Sequence, residues 1–252
     1  MKAFLDSNVL QYNHPDFIPA DPISVPHRYS RKEDIEISGF LAATIAWGNR
    51  VSILNSANRL MDLMEDAPFE FISSARAKDY KRFEGFVHRT FNGTDCIYFL
   101  RALKEIYRHH GGLEGIFSGA GAMDEKIHRA RHIFLSFKAP ARTGKHFSDP
   151  LAGSAAKRIN MYLRWMVRRD LQKVDFGIWK SVSPAELCCP LDVHSGRVAR
   201  MLGLLERKQN DWKAVMELTE NLRKLDPKDP VKYDFALFGM GTDGMATGIQ
   251  IR

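Results

Sequence analysis

Apolar residues recur every three or four positions along most of this chain, and that interval constrains its fold more than any other feature. Ile35, Ile37, Phe40, Leu41, Ile45 and Trp47 keep the spacing until Gly48-Asn49 interrupts it. A second run puts Val51, Leu54, Ala57, Leu60, Met61 and Met64 on one face. The same pattern predicts helices over 94–109, 124–137, 154–169, 193–204, 211–224 and 230–238. Short breakers such as Gly111-Gly112, Ala139-Pro140 and Asp226-Pro227 separate several of them. No stretch shows the two-residue alternation of a half-buried strand, so the expected class is all-α.

Residues 1–32 are expected to be irregular, because Pro15, Pro19, Pro22 and Pro26 punctuate them. The remainder, 33–252, is read as one helical region of two lobes, with a division near 138–149, where Gly, Pro and Lys/Arg concentrate. The first helices are free to return and pack with the last. At 252 residues and 44% hydrophobic, the chain is long enough to bury a sizeable core. It lacks an apolar run of membrane-spanning length, and its first residues lack a signal-peptide core, so a cytoplasmic monomer is expected. Cys96, Cys188 and Cys189 supply neither a disulfide framework nor a zinc pair, and three thiols cannot hold a four-cysteine iron–sulfur cluster. No metal or cofactor is therefore expected.

Charge narrows the choice of partner. The net charge is +7, and between Lys126 and Lys173 twelve Lys/Arg face only Asp149 and Asp170. A basic band of this density is the electrostatic footprint of a phosphate-rich partner; its plainer reading is a solvated helix face.

Two segments carry the chemistry. Leu151-Ala152-Gly153-Ser154-Ala155-Ala156-Lys157 reads as a glycine-containing turn between helices, with Lys157 near the start of the second. Backbone N–H groups at such a helix start bind phosphate, and Gly153 permits a close backbone approach. Downstream, Asp192 in Leu191-Asp192-Val193-His194-Ser195-Gly196-Arg197-Val198 stands where an N-cap belongs.

In order and spacing these motifs resemble the helix-hairpin-helix DNA glycosylase superfamily, which includes endonuclease III and the 8-oxoguanine glycosylases. The hairpin keeps that family's Leu, first Gly and Lys as Leu151, Gly153 and Lys157, but has Ala152 for its Pro and Ala155 for its second Gly. The family's Val-Asp-Thr-His-x-x-Arg-Val is similar to Leu191–Val198. Ile35–Asn55 looks like the family's opening helix and probing turn, and Trp212–Gly241 like its closing helix. Asp192 follows Lys157 by 35 residues, a longer connection than in endonuclease III-like members and similar to the archaeal 8-oxoguanine branch. The run Tyr162-Leu163-Arg164-Trp165-Met166-Val167-Arg168 points to an uncharacterised bacterial branch.

The resemblance implies a two-lobed fold and excision of a damaged base from duplex DNA, with an AP-lyase step open to it. Lys157 would be the nucleophile and Asp192 its acid/base partner or electrostatic stabiliser, the two facing one cleft with Gly153 at its rim. Gly153, Ser154, Ala155, Arg158, Arg164 and Arg168 would hold the DNA backbone. Asn49 and Arg50 would enter the gap left by the extruded base. Trp179 and Phe176 would line the base pocket, against the competing reading of both as core aromatics. His194 reads as structural. Three other readings stay open: a noncatalytic DNA-binding protein in which Lys157 is only an electrostatic contact, an RNA-processing role, and a scaffold with no nucleic acid.

Overall fold

A computed structural model describes residues 1–243, and its secondary structure is predominantly helical. The chain forms two compact units, neither continuous in sequence. One comprises Met1–Phe17, Ala122–Glu125 and the chain from Asp149 onward; the other comprises Ile18–Gly121 and Lys126–Ser148.

The second of these units holds α2 (Lys32–Thr44), α3 (Arg50–Leu63), α4 (Pro68–Ser74), α5 (Gly93–His109), α6 (Gly112–Phe117) and most of α7 (Met123–Leu135). A two-residue hairpin, β1 (Val87–His88) with β2 (Phe91–Asn92), precedes α5. These strands are too short for alternation to reveal. Its core is aromatic: Phe99 and Phe134 lie 4.6 Å apart edge-to-face, and Phe40 lies 5.6 Å from Phe134. The start of α5 is fixed by a reciprocal capping box between Asn92 and Asp95. Asp95, fully buried, also accepts from Thr143 Oγ1 at 2.8 Å and pairs with His146 and Arg142. These contacts bind the Gly/Pro/Lys-rich stretch to this unit up to Ser148.

The other unit holds α1 (Lys2–Tyr12), α8 (Lys157–Val167), α9 (Val193–Met201), α10 (Trp212–Leu225) and α11 (Tyr233–Thr242). Here the expectation of an irregular 1–32 fails: residues 2–12 are an α-helix packed on α11. Leu5 and Val9, one turn apart, are its buried face, and Gly239 of α11 leaves room for the Tyr12 ring. Two apolar positions make too short a pattern to read as a helix. The prolines that follow open or sit within 3-10 turns at Pro15–Ala20, Pro22–Ser24 and Pro26–Arg28, with Asp21 capping the second. A long loop joins α8 to α9. It returns along the end of α8, where Phe176 N–H donates to Trp165 O and Trp179 N–H to Met166 O. Among the described residues no helix is long and apolar enough to cross a membrane.

Candidate active site

The residues before α8 form a tight turn rather than the second half of a helix pair. The upstream neighbour is the 3-10 turn Thr143–His146, so no α-helix runs directly into the turn. Gly153 N–H donates to Pro150 O and Ser154 N–H to Asp149 O, while Gly153 O accepts from Trp212 N–H at 3.1 Å. That last bond fastens the turn to the start of α10. Gly153 has a φ of +88°, a conformation that suits glycine, and the space where a side chain would stand is open. A second left-handed residue, Ala156 at φ +45°, ends the turn. The N-cap of α8 is Ala156, which makes no side-chain cap hydrogen bond.

Lys157 is the first residue of α8, and its Nζ lies 3.5 Å from Asp192 Oδ2, with the two side chains 30% and 21% exposed. The pair is therefore reachable from solvent yet partly desolvated. Asp192 is the N-cap of α9. Its Oδ1 accepts from His194 N–H (2.8 Å), Ser195 N–H (2.9 Å) and Ser195 Oγ (3.2 Å), and Ser195 Oγ accepts in return from Asp192 N–H. One oxygen thus orients the carboxylate while the other faces the lysine. Burial pushes the Asp192 carboxyl up, but the Lys157 charge and the bonds from Ser195 outweigh it and hold the group below its ordinary range. Asn210 Nδ2 donates to Asp192 O at 3.0 Å, steadying the same corner.

The remaining expected contacts divide. Gly153 is exposed, and Ser154, Ala155 and Arg158 are partly so. Burial pulls the Arg158 guanidinium down to about 10. Arg164 and Arg168 are not surface groups: they are 4% and 3% exposed, which overturns their assignment to DNA backbone. Arg164 Nε donates to Asp175 Oδ1 at 3.2 Å and its Nη1 to Asp234 Oδ2. Arg168 pairs with Asp170, Asp175 and Asp229. Three of those acids lie outside the basic stretch, so a count along the sequence could not see them. Trp179 is 2% exposed and packs edge-on against Tyr162 at 5.6 Å, so it is a core aromatic rather than a base platform. Phe176 remains half-buried. Asn49 and Arg50 lie in the other unit, both exposed, where Asn49 caps α3 by accepting from Ser52 N–H.

Sequence reasoning missed Asp234, in the first turn of α11, which pairs with the buried Arg164. The available signal was an acid inside an otherwise apolar run, Tyr233-Asp234-Phe235-Ala236-Leu237.

A family model described as "Protein of unknown function (DUF2400)" matches residues 21–243. The chain belongs to the DUF2400 family. No curated protein and no solved structure matches this DUF2400 chain. The family match takes in the turn, Lys157, Asp192 and Asp234, and leaves α1 outside it. Among the described residues of the DUF2400 chain, no group of three or more His, Cys, Asp or Glu is placed to hold a metal ion.

Proposed function

We propose that this protein is a DNA-repair glycosylase akin to the helix-hairpin-helix kind but without the hairpin's first α-helix, two-lobed and with an AP-lyase step, excising a damaged base from duplex DNA. One observation carries the reading: Lys157 Nζ approaches Asp192 Oδ2 to 3.5 Å at the end of a glycine turn, although 35 residues separate the two in sequence. The open space over Gly153, where the backbone can be approached closely, supports a backbone phosphate at the turn.

In this reading the target nucleotide leaves the stack so that its sugar C1′ comes within reach. The neutral Lys157 amine attacks C1′ as the glycosidic bond breaks and its electron pair departs with the base, which takes up a proton. Ring opening then leaves an imine between Lys157 and the sugar. Asp192, held ionised by its cap and by Lys157, suits stabilisation of positive charge on the sugar better than storage of a proton.

The test is incubation with duplexes that each carry one modified base, with borohydride present to reduce the imine to a stable adduct. A covalent complex with wild type, lost in Lys157→Gln while DNA is still bound, supports the reading. Persistence of the adduct in Lys157→Gln, or DNA binding with no adduct on any duplex, overturns it. The second of those results favours the noncatalytic binder.

A further inference from the structure

We infer that the unit holding α2 to α6 carries a binding surface for single-stranded nucleic acid, on which an unpaired base stacks at Trp47 while Arg89 and Arg142 hold neighbouring phosphates. The inference goes beyond the glycosylase reading and makes no use of Lys157.

The chain has four tryptophans. Trp165, Trp179 and Trp212 are buried, whereas Trp47, in the turn between α2 and α3, is half-buried. Two buried imidazoles fix this ring. His146 stacks with it at 5.9 Å between centroids and 25° between planes, and His88 meets it edge-on at 5.3 Å. The imidazoles are fixed in turn. His146 Nε2 lies 3.2 Å from Oδ2 of the buried Asp95, and the His88 ring nitrogens lie 2.9 Å from Ser56 Oγ and 3.2 Å from Trp47 O. An indole held this way has little freedom left to lose when a base stacks on it.

The turn beside the indole is shaped around an arginine. Gly48 has a φ of +106°, and a Cβ there would come within 2.9 Å of Arg89 Nη1, so the Arg89 side chain runs across Gly48. Arg89 is exposed at the tip of the β1–β2 hairpin with a φ of +53°, where glycine or asparagine is the unstrained choice. What the strained tip gains is a guanidinium next to Trp47. Arg142 reaches the same tip: it donates to Thr90 O at 2.8 Å, and its side chain is 38% exposed although it pairs with Asp95. Segments 45–61, 85–94 and 138–148, which meet here, contain no Asp or Glu. Asp95, the acid they enclose, is fully buried. Unlike Arg164 and Arg168, these cations stand at the surface. Guanidiniums beside a rigid, half-exposed indole suit a strand whose bases are free, because the bases of a duplex are already stacked on one another.

The test uses the full chain and short oligothymidylate, with Trp47 emission as the reporter. Binding should quench the emission and reduce its access to acrylamide, since the other three tryptophans are already buried. Trp47→Phe should remove the response, and Trp47→Ala should weaken binding about tenfold or more. Arg89→Gly deletes the guanidinium and suits the turn. Its Tm should hold or rise, while affinity falls about fivefold and the slope of log K against log salt drops by about 0.7. Lys157→Gln should keep the wild-type response. Binding that leaves Trp47 emission unchanged overturns the proposal. So does equal quenching by a fully paired duplex or by heparin, which has charge without bases. A response that survives Trp47→Phe or is lost in Lys157→Gln, or wild-type affinity in Arg89→Gly, overturns it too. Should Trp47→Ala fail to fold, the quench in wild type and its loss in Trp47→Phe decide. An intact borohydride adduct with no Trp47 response removes this surface and leaves the glycosylase reading; the opposite pair of results does the reverse.

Discussion

Replacing Arg164 with methionine keeps the length and apolar stem of the side chain and deletes its charge. Two carboxylates then lose a partner, unequally. Asp175 retains Arg168 Nη1 at 3.1 Å, whereas Asp234 loses the ion pair it has among the described residues. Breaking a buried pair from one side costs about 3–5 kcal/mol. With only one acid stranded, the lower end applies, about 3 kcal/mol at neutral pH. The lost packing of the guanidinium on Phe235 is included in that figure. For a protein of this size, each kcal/mol moves Tm by about 2–4 °C, so the expected drop is about 6–12 °C. A stranded carboxyl can escape its penalty by taking a proton, so the deficit should shrink as the buffer is taken from pH 7 to pH 5. Thermal melts of wild type and Arg164→Met at both values test this. A loss under about 1 kcal/mol at pH 7, or a deficit that grows in acid, would refute the buried-cluster argument. Arg164→Glu should unfold the protein outright, because it sets a third acid beside Asp175 and Asp234. Any loss of DNA binding in that variant would report the fold and not a phosphate contact.

Further expectations follow from the same geometry. Asp234 binds more protons folded than unfolded, because its folded midpoint is raised from 3.8 to about 6; its contribution to stability should therefore fall as pH rises through that window. Wild-type stability minus that of Asp234→Asn, measured by urea unfolding from pH 4 to 7, should decline by on the order of 1–3 kcal/mol, and a flat or rising difference would contradict it. Asp192→Ala should lower stability by about 1 kcal/mol through loss of the α9 cap, while Asp192→Asn loses much less; equal losses in calorimetry would show that the cap is not what the carboxylate contributes. Gly239→Ala brings a Cβ to 2.2 Å from the Tyr12 ring, so α1 must move, at about 1–3 kcal/mol. Hydrogen exchange should then rise in residues 2–12 well before it rises in α5, and unchanged protection of α1 would count against the packing described.

The helices legible in the sequence were those with four or more apolar positions on one face, such as α3 and α5. Helix α1 was not, since its apolar stripe is two residues deep and its partner lies more than two hundred residues away. The Lys157–Asp192 juxtaposition was legible because both residues occupy positions set locally, a helix start and a cap. Arg164 and Arg168 were misread for the converse reason. A charge count along the chain weighs neighbours in sequence, while the acids that neutralise these two come largely from Asp175, Asp229 and Asp234. Helical periodicity already hinted at this. Arg164 recurs at the spacing of the buried stripe on α8, between Met161 and Val167, where a surface cation does not belong.

The discontinuous unit has a consequence for biosynthesis. Helix α1 is synthesised more than two hundred residues before α11, against which it packs. Until α11 is made this helix lacks that partner, and isolated segments of eleven residues hold little helix in water. Ile18–Gly121 and Lys126–Ser148, by contrast, are complete once residue 148 has emerged and can collapse around their phenylalanines during elongation. Asp234 meets Arg164, and α1 finds its seat, only when α11 arrives, which closes a loop of more than two hundred residues between α1 and α11. A chain stalled before residue 233 would carry Lys157 and Asp192 but neither Asp234 nor a seat for α1.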